Sequence, residues 1–216
     1  VHPTLGVCAM TPSEAVTLRP LTLGDLERAT LVQARAFLND PLWVYLIPDA
    51  RQRQIYLPRF SRVLFRFGIL NGQAYGVGDP LAGVAIWSAP GQKTKLSAAL
   101  RAGWPRLLFS PFLFQFVRAG EIFGRFGEMQ KQYAPDPHYY LNTISVLPEA
   151  QGQGIASKLI RPFLAQADRE GVSAYTETMT PSNVGLYQHY GFQVMEAYRV
   201  PGKDLSLWAF FRPVTK

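Results

Sequence analysis

Six consecutive residues, Gln151-Gly152-Gln153-Gly154-Ile155-Ala156, carry the clearest chemistry in the chain. A strand-like run from Leu141 to Val146 leads toward them, and a helix-like run starts at once behind. Gly152 and Gly154 have no side chain to obstruct a ligand. The free N–H groups and the positive end of the starting helix face the same point, so the turn suits an anion, most often a phosphate or pyrophosphate. A Walker-type phosphate loop needs Gly-Lys-Ser/Thr at its end, and this turn has Gly154-Ile155-Ala156. A Rossmann fingerprint wants a third glycine where Ser157 stands, although Glu177 imitates its ribose-binding acid. It also wants more parallel strands than the 60 residues after Ala156 offer, since these end in an antiparallel-looking pair.

The turn matches the Gln/Arg-x-x-Gly-x-Gly/Ala signature of the GNAT superfamily of N-acetyltransferases, and its neighbours add weight. They are Val146-Leu147-Pro148 before it, Asn183 and Tyr187 in the next strand–helix connection, and Tyr190-Gly191-Phe192 closing that helix. The chain resembles that superfamily well from Tyr139 to Arg212 and more loosely from Val16. Within it the chain looks most like the puromycin N-acetyltransferase group. Ala85-Ile86-Trp87 ahead of Pro90, Glu177-Thr178 ahead of Pro181 and Asn183, and Pro162 inside the helix after the turn carry that likeness. An interior proline costs an ordinary helix about 3 kcal/mol, so its presence is informative. The likeness does not make puromycin the substrate.

The resemblance implies an acyl-CoA-dependent N-acyltransferase that takes acetyl-CoA (coenzyme A) as cosubstrate and needs no metal. It implies that backbone amides of Gln151, Gly152, Gln153, Gly154, Ile155 and Ala156 hold the CoA pyrophosphate. The strand edge at Ser145 and Val146 then bonds the pantetheine arm like an added strand. It places Tyr187 beside the CoA sulfur, where a phenol of pKa about 10 can protonate a leaving thiolate of pKa about 8.5. Tyr187 read structurally is a core tyrosine under the last helix. Asn183 is expected at the pantetheine or cofactor edge, with helix capping as its alternative.

Glu177, ending a strand where the sheet should open, is the best acid residue for taking the amine's proton. A carboxylate with an ordinary pKa of about 4.3 is a weak base, so burial or a bridging water would have to help. Its structural alternative is a partner for an arginine or a backbone amide. Glu149 is poorer, because the family pattern leaves that position variable and exposed. The acceptor pocket should come from the segments least like the superfamily, Phe37 to Leu46 and an insertion between Lys93 and Tyr133. Phe37, Trp43, Tyr139 and Tyr140 are the aromatic candidates for a lipophilic amine, each equally readable as structural. The phenylalanines from Phe109 to Phe126 line that pocket, cover the core or form a homodimer face.

The positioning elements follow from the apolar pattern. Ala15 to Arg19 alternates as a short strand, and Thr22-Leu23-Gly24-Asp25 offers caps before a helix through Leu26, Ala29, Leu31, Ala34 and Phe37. Asn39-Asp40-Pro41 should stop it, and a second helix spans about 50–67, kinked or divided at Pro58. Gln73 to Val77 and Leu81 to Trp87 read as a hairpin around Gly78-Asp79-Pro80. Lys93 to Tyr133, broken by glycines and prolines, suggests short helices. Then come a strand from Tyr139 to Val146, a helix to Glu170 ended by Gly171, and a strand from Val172 to Thr178. A short helix from Ser182 to Tyr190 and two strands around Pro201-Gly202 complete the order. The fold class expected is α/β (α+β) of GNAT type: a mixed, mostly antiparallel, splayed sheet flanked by helices. One domain, 1–216, should carry a helical insertion at about 93–133.

The chain has 216 residues, 48% of them apolar, enough for a full core without disulfide or metal staples. The single cysteine, Cys8, fits a reducing, cytoplasmic setting, and lying far from the turn in sequence it offers no plausible nucleophile. His2, His138 and His189 are too scattered for a zinc cluster. Val1 to Met10 lacks the charged region of a secretory signal, and Leu107 to Val117 is far short of the roughly 20 residues of a membrane span. Residues 1–120 hold 13 Lys/Arg against 6 Asp/Glu, whereas 121–216 hold 9 against 9. Arg51, Arg53, Arg59, Arg62 and Arg66 account for much of the excess, and a solvated helix face explains them better than a nucleic-acid groove. The expected activity is acetyl transfer to a primary amine of a small molecule by direct attack in a ternary complex. The rivals are acetylation of a protein N-terminus or lysine, a non-catalytic CoA-binding regulator, and a nucleic-acid-associated protein.

Overall fold

The computed structural model describes residues 17–92, 95–105 and 113–214, without the side chains of 113–116 and 118. Cys8, His2, the rest of Val1 to Met10, the first two residues of the expected opening strand, Lys93 and residues 106–112 lie outside the described residues.

Seven strands form one sheet in the order β1-β2-β3-β4-β5-β7-β6. They are β1 (Leu18–Pro20), β2 (Ala74–Val77), β3 (Gly83–Ser88), β4 (Tyr139–Val146), β5 (Ala174–Thr178), β6 (Gln193–Arg199) and β7 (Ser206–Arg212). Every pairing is antiparallel except β4 with β5, so the sheet is mixed and mostly antiparallel, as expected.

The exceptional pairing is also the shortest relative to its strands. β4 and β5 match only at Tyr139–Ala174, Tyr140–Tyr175 and Leu141–Thr176. Opposite β3, the register jumps there from Trp87–Leu141 to Ile86–Thr143, so Asn142 is an extra residue in β4. A bulge bends and twists its strand, and this one turns the rest of β4 away from β5. Beyond Leu141 the two strands diverge, leaving the β5-facing side of β4 without a strand partner.

Helices α1 (Leu26–Ala36), α2 (Pro41–Leu46) and α3 (Ala50–Leu70) precede β2. Asn39-Asp40-Pro41 does end α1, but it also begins α2, because Asp40 accepts the Leu42 N–H at 3.0 Å and proline suits a first helical position. α3 runs 21 residues through Pro58 without dividing. Its arginines are not simply a solvated face. Arg53 is 5% exposed and donates to the carbonyls of Leu38, Ile47 and Pro48, binding the ends of α1 and α2 to α3. Arg62 pairs with Glu27 of α1, and Arg59 lies over Tyr56. The 93–133 segment contains α4 (Leu96–Ala102) and α5 (Leu113–Tyr133), and α5 is one helix rather than several, despite Gly120, Gly124 and Gly127.

After the turn come α6 (Ile155–Glu170) and, beyond β5, α7 (Asn183–His189). A Cβ on Gly83 of β3 would collide with Ile155 and Leu159, so this glycine lets the start of α6 sit close on the sheet. Trp87 and Pro162 belong to the same contact. Pro162 withholds one helical donor from α6, while the Trp87 indole donates to the Leu159 carbonyl at 3.1 Å and stacks on Phe163 at 4.9 Å. The α6–β3–β4 side forms the largest core cluster. A second, rich in tyrosine, lies between α5 and β5, β6 and β7.

Candidate functional site

The divergence of β4 and β5 opens a cavity of about 400 Å3. Its walls are Ile144, Ser145 and Val146 of β4, the turn from Gln151 to Ser157 except Gln153, Phe37 and Asp40 between α1 and α2, and Thr180, Asn183, Leu186 and Tyr190 around α7. The structure thus gathers most of the residues read from sequence as cofactor-binding along one channel.

The turn owes its shape to its glycines. Gly152 and Gly154 have φ of +76° and +75°, a region that L side chains rarely adopt, although a Cβ at either would meet no other atom within 4 Å. Their absent side chains therefore serve backbone conformation as well as ligand approach. Gly154 caps α6: the first helical bond runs from the Lys158 N–H to its carbonyl at 3.2 Å, so the N–H groups of Ile155, Ala156 and Ser157, all residues that line the cavity, precede the ladder. Gln151 and Gln153 turn their side chains back to the carbonyls of Val146 and Glu149, at 3.4 and 2.9 Å, and so brace the turn. Arg35 of α1 holds Glu149 at 2.8 Å on the surface.

Ser145 is 2% exposed, lines the cavity, and its hydroxyl has no hydrogen-bond partner. A buried hydroxyl left unpaired costs about 1–3 kcal/mol, so a polar ligand group here would relieve it. Together with the unpaired edge of β4 and the helix end, it fits an extended amide-bearing arm joined to a pyrophosphate. CoA has that form.

Across the channel a chain of hydrogen bonds links α7 to the start of α2. Asn183 Nδ2 donates to Thr178 Oγ1 at 3.2 Å, the Thr180 amide donates to the same oxygen at 3.1 Å, and Thr180 Oγ1 donates to Asp40 Oδ2 at 2.8 Å. Asn183 thus braces the wall and supplies no side-chain cap. Asp40 and Thr180 escaped sequence reasoning: before Pro41 an aspartate reads as a helix stop, and before Pro181 a threonine reads as a turn. Burial pushes the Asp40 carboxyl up, against the Thr180 hydroxyl and the Leu42 and Trp43 amides.

Tyr187 is 3% exposed and does not line the cavity. Its ring packs between Phe192 and Phe210, at centroid distances of 5.9 and 5.1 Å, while its hydroxyl lies by Thr176, the last β5 residue paired to β4. Burial pushes this phenol up to about 12, with Thr176 opposing the shift. The residue is thus a core tyrosine whose polar tip reaches the apex of the splay.

Glu177 stands on the other face of β5, since successive strand residues alternate. It shares that face with Tyr175, and Tyr140 of β4 packs in the same cluster. Burial pushes the Glu177 carboxyl up to about 7, and the Tyr140 and Tyr175 phenols oppose this. Among the described residues, Glu177 Oε1 and the Tyr175 hydroxyl are both buried without a hydrogen-bond partner. A carboxyl poised near neutrality can give or take a proton.

The remaining aromatic candidates separate. Phe37 lines the cavity. Tyr140 faces Glu177's side of the sheet, whereas its neighbour Tyr139 points to the α6 side, where its hydroxyl donates to Glu170 Oε2 at 2.8 Å. Alternation along β4 thus removes Tyr139 from the acceptor set. Trp43 is also placed as core: α2 turns it inward, 7% exposed, edge-on to Phe60 at 4.8 Å.

Comparison with known proteins agrees with this geometry. The model of the acetyltransferase (GNAT) domain family matches residues 114–194, which include the β4–turn–α6 unit, β5 and α7. An uncharacterized N-acetyltransferase of Schizosaccharomyces pombe is 28% identical over 179 residues, covering 78% of this chain and 70% of the relative. A Corynebacterium glutamicum structure described as histone acetyltransferase HPA2 and related acetyltransferase superposes with a TM-score of 0.62 at 22% identity, covering 94% of this chain and 98% of the other. The arylalkylamine N-acetyltransferase 2 of Aedes aegypti superposes with a TM-score of 0.60 at 13% identity, covering 94% and 100%. With the splayed β4–β5 pair and the glycine turn at the head of α6, these likenesses lead to one conclusion: the chain has the GNAT fold, and its residues 114–194 match the acetyltransferase (GNAT) domain family.

Proposed function

We propose that the chain transfers the acetyl group of acetyl-CoA to a primary amine of a small molecule, by direct attack with both substrates bound. The observation that carries the proposal is the continuity of the cavity, from the turn at Gln151–Ser157 along the free edge of β4 to Phe37 and Asp40. The amides of Gln151 to Ala156 hold the pyrophosphate, and Ser145 and Val146 hold the pantetheine arm. The bound thioester supplies the acetyl group. The amine nitrogen bonds to the acetyl carbon as the C–S bond breaks, the amine's proton passes to a carboxylate, and the Tyr187 hydroxyl protonates the departing thiolate.

Glu177 is the proposed base, on its raised pKa and its place beside the splay. Asp40 is a second reading, favoured by one observation: it lines the cavity and Glu177 does not. Phe37 and Tyr140 are the proposed aromatic contacts of the acceptor. A small amine is supported by the fold neighbour named for arylalkylamines, and Trp87 with Pro162 favours the puromycin-type group within the superfamily.

Release of free thiol from acetyl-CoA with a panel of small amines, peptides with free N-termini and lysine peptides tests the proposal. Turnover with small amines alone is the expected result. Turnover confined to peptides would replace the acceptor class, and binding without turnover would leave a CoA-binding regulator.

A further inference from the structure

Beside the turn, the cavity is also lined by Ser157 in the first turn of α6 and by Leu186 and Tyr190 at the far end of α7, which form one rim of it. Arg161 reaches this rim. Its Nε donates to Ser157 Oγ at 2.7 Å, and its guanidinium lies 5.5 Å from the Tyr190 ring centroid. Side chains on a helix lean toward its N-terminus, so an arginine two turns into α6 projects its charge back over the first turn. Lys158, exposed on the same part of α6, adds a second cation. Among the described residues no carboxylate pairs with either one, and no acid occurs in the sequence between Glu149 and Asp168.

With the pantetheine arm on β4 and the pyrophosphate at the turn, the nucleoside end of CoA leaves toward Ser157 and Tyr190. We infer that Arg161, held by Ser157 and backed by the Tyr190 ring, is a receptor for the phosphomonoester on the CoA ribose, an anion separate from the pyrophosphate. The inference rests on the acetyl-CoA reading. A guanidinium whose Nε is already engaged keeps both terminal nitrogens in one plane, and that fork matches two phosphate oxygens. The Tyr190 face restricts the side chain, which lowers the ordering cost of binding. The site would distinguish CoA from its 3′-dephospho form, which the turn alone does not do.

Calorimetric titration of CoA and 3′-dephospho-CoA into the wild-type chain, Arg161→Gln and Arg161→Lys tests this. The wild type should bind CoA about tenfold more tightly than dephospho-CoA, the size expected of one charge-assisted contact near solvent. Arg161→Gln should lose that advantage while holding dephospho-CoA within about twofold of wild type, and Arg161→Lys should keep only part of it. Equal affinity of the wild type for both ligands would overturn the receptor, as would an equal loss of both in Arg161→Gln at unchanged thermal midpoint. If the wild type bound neither, the acetyl-CoA reading itself would fall.

Discussion

Glu177 and Tyr187 share one cause of their raised pKa, burial beside the β4–β5 split. A base must be unprotonated to act, so kcat/KM should rise with pH and level off above about 7, the value to which burial pushes Glu177. Glu177→Gln should lower turnover by about a hundredfold or more and remove that inflection. If the inflection survives there and disappears in Asp40→Asn, Asp40 is the base. Stability follows the same carboxyl. Its folded value lies above the unfolded one, so the fold favours the protonated acid, and this contribution is full below pH about 4.3 and lost as pH rises through about 7. Chemical denaturation should therefore show Glu177→Gln gaining on the wild type across that window. Tyr187→Phe should reduce kcat about tenfold to a hundredfold with little change in acetyl-CoA affinity, and equal losses in both would indicate a purely structural phenol. Gly154→Asp combines an unfavourable backbone conformation at φ +75° with a negative charge at the helix end, and titration should find acetyl-CoA binding abolished in the folded variant.

At the scale of elements, the position of α6 decides where the anion site lies. Gly83 admits the first turn of α6, and Trp87 fastens its middle at Leu159. Trp87→Phe keeps the stacking on Phe163 but leaves the buried Leu159 carbonyl without its indole donor. That carbonyl keeps its helical donor at Phe163, so the loss is one net hydrogen bond, about 0.5–1.5 kcal/mol in a urea titration. The end of α6 is fixed separately, by the two-pronged pair of Arg212 with Asp168 at 2.7 Å on each oxygen. The bulge at Asn142 does the opposite work, releasing β4 from β5 where the cofactor arm is to lie.

For the whole molecule, the net charge of +7 falls entirely in residues 1–120, yet several of its arginines are committed within the fold. Arg53 is consumed by three carbonyls, Arg62 by Glu27 and Arg59 by the Tyr56 face. Fluorescence anisotropy should therefore find no salt-sensitive binding of duplex DNA or RNA at an ionic strength of about 0.15 M, and micromolar binding there would revive the nucleic-acid reading. Among the described residues no helix is long and apolar enough to cross a membrane. The succession of strands along the chain, the glycine turn that suits an anion, and the superfamily likeness are legible in the residues alone. These are local matters, written in periodicities of two and 3.6 residues and in glycines that permit positive φ. The residues alone do not show which of Tyr139 and Tyr140 faces Glu177, that Trp43 turns into the core, or that Asp40 joins Thr180 across 140 positions of chain. These are set by packing in three dimensions. A side chain's partners at long range depend on where a bulge shifts the alternation and on which helix covers which face, and neither is encoded in the residues beside it.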